Sequence, residues 1–80
     1  MFTNKAANGT NNLCGRNIYA FRKNMGISQR ELADKLQIQG LDVDKNAVQR
    51  IEAGKRFVTD IELSLLAAVF AKTVDEMLAE

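Results

Sequence analysis

The chain of 80 residues contains no proline, no tryptophan and no histidine, and it has one cysteine, Cys14. Without proline nothing locks φ or deletes a backbone donor, so helical runs are permitted anywhere along it. One cysteine cannot close an internal disulfide, and nothing here points to secretion. With no histidine and no CxxC pair a zinc site has no ligand set, and no metal is expected. An enzyme is the least favoured class. There is no plausible nucleophile with a base and no phosphate-binding glycine loop, so no cofactor or small-molecule ligand is expected either. No apolar run approaches the roughly 20 residues of a membrane span. The opening MFTNKAANGTNN lacks the apolar centre of a signal peptide. A cytoplasmic location and no membrane partner follow as expectations.

What is present has the balance of an ordinary soluble globule, with 46% apolar and 26% charged residues. Its length allows one domain. The net charge of +1 hides a strong asymmetry. Residues 1–56 hold ten basic and five acidic side chains, whereas residues 57–80 hold one basic and five acidic. This segregation suggests a basic face turned toward an anionic partner.

Residues 1–11 show no periodicity, and a flexible N-terminal arm is expected there, followed by a domain over 12–80. That domain divides into five short helices. The first is expected from about Leu13 to Met25, with Cys14, Ile18, Phe21 and Met25 on one stripe and Gly26 as its stop. Ser28 with Glu31 forms a capping box that starts a second helix, whose inner face is Leu32, Ala33 and Leu36. Gln37 to Val43 breaks the period and is expected as a loop. Asp44 then caps a third helix with Val48 and Ile51 inward, ended by Gly54. Thr59 with Glu62, and Thr73 with Glu76, repeat the capping box for a fourth and a fifth helix. In the fourth, Ile61, Leu65, Leu66, Val69 and Phe70 are expected at the centre of the core. In the fifth the apolar residues are Val74, Met77 and Leu78. The outcome is a compact all-α domain.

The third helix carries the functional candidates. Its outer face presents Lys45, Asn46, Gln49 and Arg50. Arg and Lys donate to guanine O6 and N7, and Asn and Gln pair with adenine in two-pronged fashion. Lys55 and Arg56, just beyond it, suit phosphates. The starts of the second helix, beside Gln29 and Arg30, and of the fourth, at Thr59, expose N–H groups that can hold further phosphates.

The segments SQRELADKL over 28–36 and NAVQRIEAGKR over 46–56 resemble the Cro/C1-type, or xenobiotic response element, helix-turn-helix family. The resemblance runs from about Arg16 to Leu78. It implies a lambda-repressor-like five-helix fold, and a DNA-binding transcriptional regulator, commonly a repressor. It implies a homodimer on a palindromic operator of double-stranded DNA. By position it gives Lys45, Asn46 and Arg50 to bases, Gln49 to the groove edge, Gln29 to phosphate or an outer base, and Lys55 and Arg56 to the backbone. It also implies an ion pair between Arg22 and Glu52. Three departures stand out. QIQGLDVDK lengthens the turn by about five residues, Ala53 replaces a common asparagine, and Val58 replaces a common proline.

Blander roles compete at several positions. Cys14 suits a small buried hydrophobe better than a redox switch. Tyr19 and Phe21 suit core packing better than base stacking. Met25 and Met77 suit core filling. Arg22 suits the ion pair better than a phosphate, and Arg30 and Lys35 suit DNA or plain solvation equally. The Asp42/Asp44 pair fits a loop with a cap better than a metal site. A protein-interaction module, or an antitoxin-like partner-binding domain, is the alternative function, with the long turn presenting Leu41 and Val43.

Overall fold

The computed structural model describes residues 9–80. Its helices are α1 (Gly15–Met25), α2 (Gln29–Ile38), α3 (Lys45–Glu52), α4 (Asp60–Phe70) and α5 (Val74–Leu78), and there are no strands among the described residues.

Local chemistry starts and stops these helices much as the punctuation predicts. The capping boxes at Ser28/Glu31, Thr59/Glu62 and Thr73/Glu76 all form, each with both reciprocal hydrogen bonds. Asp44 accepts the Ala47 N–H at the start of α3. Gly26, at φ +71°, ends α1 in the left-handed conformation. Ala71 does the same after α4 at φ 54°, without the freedom of glycine.

The core gathers Cys14, Ile18, Leu32, Ala33, Leu36, Val43, Ala47, Val48, Ile51, Leu66, Ala67, Phe70 and Met77. Full burial of a large aliphatic side chain contributes about 1.5–3 kcal/mol, so this cluster, to which all five helices contribute, dominates stability. Phe21 packs on Phe70 with ring centroids 5.7 Å apart. Asn17 of α1 donates to the carbonyls of Met77 and Ala79 and so pins the end of α5.

Several expected core positions lie at the surface instead. Met25, Tyr19 and Ile61 are exposed, the last at 71%. Met25 is the last residue of α1. Ile61 lies on the side of α4 opposite the buried Leu66, Ala67 and Phe70, since at about 100° per residue it falls roughly 170° from the centre of their arc. Tyr19 lies under cations, with the Arg22 guanidinium 5.5 Å and the Lys23 ammonium 5.9 Å from its ring centre. Val74 and Leu78 are also exposed, and only Met77 of α5 is buried.

The segment between α2 and α3 differs from an open loop. Helix α2 continues to Ile38. The Leu41 N–H then donates to the Leu36 carbonyl, and Gln37 Nε2 donates to the Val43 carbonyl at 2.7 Å. These bonds fold the connection back onto its helix and bury Val43. Leu41 packs half-buried against the core. The long turn therefore uses Val43 wholly and Leu41 partly for internal packing.

Of the arm expected over residues 1–11, residues 1–8 lie outside the described residues. Asn11 is held: its N–H donates to the Gly54 carbonyl at 2.8 Å.

Candidate nucleic-acid interface

Helix α3 has a clean division of faces. At about 100° per residue, Ala47, Val48 and Ile51 occupy one arc, and all three are buried. Lys45, Asn46, Gln49 and Arg50 fall within roughly 140° on the opposite side. All four are exposed. Among the described residues none of these side chains has a hydrogen bond or ion pair to the rest of the protein. Burial of the inner arc against α1 and α2 thus fixes the orientation of an outer arc free to meet a ligand.

The end of α3 is anchored by a buried charge network. Arg22 donates from Nε to Glu52 Oε2 at 2.6 Å and from Nη2 to Oε1 at 3.0 Å. Its Nη1 donates to the Ile27 carbonyl. The hydrogen bond to Glu52, ahead of the opposing effect of burial, raises the Arg22 pKa still further. Gln29 also belongs to this network, since its Nε2 donates to Glu52 Oε1 at 3.0 Å. One carboxylate therefore ties α1, the start of α2 and α3 together. Gln29 is held half-buried at the edge of the face rather than left free.

Arg30 is exposed in the first turn of α2. It shares with Lys23 and Lys45 an open groove of about 770 Å³ that runs past the Ser28 cap. Glu31 offsets part of that charge through the capping box. Lys23 joins this set through the tight turn at Gly26 and Ile27, whose N–H groups donate to the Lys23 and Arg22 carbonyls and set the end of α1 beside the Ser28 cap.

The segment after α3 separates two cations that look equivalent in sequence. Lys55 is exposed, and its backbone N–H donates to the Arg50 carbonyl, folding the loop under α3. Arg56 is already engaged. Its two Nη atoms donate to Glu62 Oε1 and Oε2 at 3.1 and 3.0 Å. The Arg56 hydrogen bonds, more than any other influence, hold the Glu62 carboxyl below its ordinary range. Thr59 caps α4, its hydroxyl oxygen accepting the Glu62 N–H. The first turn of α4 carries both Asp60 and Glu62. A phosphate there meets two carboxylates, which weakens the expected anion site at that helix start.

This is an all-helical domain in which a capped helix, a packed connection and a polar-faced helix form a helix-turn-helix. A family profile described as helix-turn-helix matches residues 18–77, and the chain belongs to that family, the Cro/C1-type DNA-binding proteins. No curated protein and no solved structure matches the chain. No helix among the described residues is long and apolar enough to cross a membrane.

Proposed function

We propose that this protein is a cytoplasmic, sequence-specific transcriptional regulator, a repressor, that inserts α3 into the major groove of double-stranded DNA. The observation that carries the reading is the undivided exposed arc of Lys45, Asn46, Gln49 and Arg50, opposite a wholly buried one. Arg50 and Lys45 supply donors for guanine, and Asn46 and Gln49 supply the donor–acceptor pairs that fit adenine. Arg30, Gln29, Lys55 and the Thr59 hydroxyl contact phosphates and set the register. Arg56, neutralised by Glu62, contributes mainly by fixing the start of α4. A homodimer then reads a palindrome whose half-sites lie roughly 34–36 Å apart.

The test is selection of bound duplexes from random DNA, repeated at two salt concentrations. The expected result is enrichment of a two-fold symmetric site, with log K falling linearly against log salt. Binding without enrichment, or indifferent to salt, overturns the reading.

A further inference from the structure

Residues 10–12 form a strap across the end of α3 that no functional reading of the sequence uses. The Asn11 N–H donates to the Gly54 carbonyl at 2.8 Å, and Asn11 Nδ2 donates to the Lys55 carbonyl at 2.9 Å. Asn12 Nδ2 donates to the carbonyls of Ile51 and Arg56, while its Oδ1 accepts the Gly15 N–H at the start of α1. Thr10 lies directly over Gly54. A Cβ placed on Gly54 would meet Thr10 Cγ2 at 2.8 Å, and Gly54 already stands at φ +76°.

Together these groups take up the carbonyls of Ile51, Gly54, Lys55 and Arg56. Helix-terminal carbonyls otherwise turn to solvent and fray. Here the backbone on both sides of Lys55 is fastened to a segment more than forty residues earlier. Lys55 is the exposed cation of that loop, whereas Arg56 is tied to Glu62.

We propose that Asn11 and Asn12 are positioning residues for DNA binding. They hold the Lys55 loop in its phosphate-contacting conformation before DNA arrives, so that ordering it costs nothing at the moment of binding. This inference rests on the reading of Lys55 as a phosphate contact.

Asn11 is the cleaner of the two to test. Its Oδ1 is buried without a hydrogen-bond partner, so removing the side chain loses one bond and also relieves one unsatisfied acceptor. Asn11→Ala should therefore fold with nearly unchanged stability, checked by its urea midpoint. Asn11→Leu, which fills the same space without a donor, is the second variant.

The experiment is a double-mutant cycle with Lys55→Ala, read as affinity for a fluorescently labelled mixed-sequence duplex over a salt series. Lys55→Ala should lower the salt slope by about one. Asn11→Ala and Asn11→Leu should each weaken binding at least about two-fold and move the slope toward the Lys55→Ala value. Added to Lys55→Ala, either should have no further effect. Should Lys55→Ala reduce affinity and slope while both Asn11 variants bind like the parent, the strap has no such role and the phosphate reading stands. Losses that simply multiply in the double variants overturn it equally. If Lys55→Ala itself changes nothing, the phosphate reading fails and the inference goes with it.

Discussion

Arg22 of α1 and Glu52 of α3 are locked in a two-pronged ion pair whose side chains are only 9% and 4% exposed. The pair bonds the end of α3 directly to α1 through side chains, and it also seats Gln29. Breaking one side leaves a buried charge alone. Glu52→Leu and Arg22→Met should each cost about 3–5 kcal/mol, measured by urea denaturation. The double variant Arg22→Met/Glu52→Leu should recover much of that loss. It should nevertheless bind DNA more weakly than the parent, because Gln29 loses its partner. Additive losses in the double variant would show that the two residues do not act as a pair.

Arg50 and Lys55 lie on either side of the same helix end, yet the proposed function gives them different consequences. Arg50→Ala should relax selectivity at one base pair at a cost of about 1–3 kcal/mol. Lys55→Ala should weaken all duplexes alike. Competition between the selected site and single-base variants of it separates the two. A uniform loss for Arg50→Ala would remove it from the base-contacting set.

Gly15 begins α1 where the helix touches the end of α3. A Cβ there would overlap the Ile51 carbonyl oxygen and lie 2.8 Å from Asn12 Oδ1. The first obstacle is backbone and cannot rotate away. Gly15→Ala should destabilise the fold by about 1–3 kcal/mol, although alanine is the better helix former. A thermal midpoint equal to or above the parent's would show that α1 and α3 are not so tightly apposed.

Ala71 takes up the left-handed conformation after α4, with the Lys72 N–H donating to the Ala67 carbonyl. A residue with a Cβ pays about 1–2 kcal/mol for that conformation. Ala71→Gly should raise stability by roughly 0.5–1 kcal/mol after the greater freedom of the unfolded chain is counted. Thermal or urea unfolding decides it, and a loss of stability would contradict the cap geometry.

Glu62 makes stability depend on acid. Its folded-state pKa is depressed by Arg56, so its contribution is complete above the unfolded value of about 4.3 and is lost as pH falls through the folded one. Glu62→Gln should be less stable than the parent near neutral pH, and the difference should shrink below about pH 4. Urea midpoints across that range measure it. A constant difference at all pH values would assign the effect to packing.

The family, the five helices and the polar arc of α3 were legible without coordinates. Cap boxes and apolar spacing act within one or two helical turns, so a local pattern suffices to mark them. The polar arc follows from the same period, because burying Ala47, Val48 and Ile51 leaves Lys45, Asn46, Gln49 and Arg50 outside. Other features depend on partners distant in sequence or on the packing angle. Arg56 and Lys55 are adjacent and alike in charge, and only the docking of α4 brings Glu62 to one of them. Met25 shares the buried side of α1 yet is exposed, because periodicity says which side of a helix is apolar and not where its neighbours end. In α4, apolar nearly all round, only packing decides that Leu66 and Phe70 turn inward and Ile61 outward.

The sequence by itself thus determined where α2, α3, α4 and α5 begin and which face of α3 is polar, since hydrogen bonds and side-chain spacing within a single turn decide both. Helix α1, by contrast, begins at Gly15, without a side-chain cap, and not at the expected Leu13. Only the tertiary structure decided that Asn11 and Asn12 clamp the end of α3, that Val43 turns inward, and that Arg56 is occupied while Lys55 is free. Those outcomes require segments far apart in the chain to meet at a particular angle, and no local period carries that information.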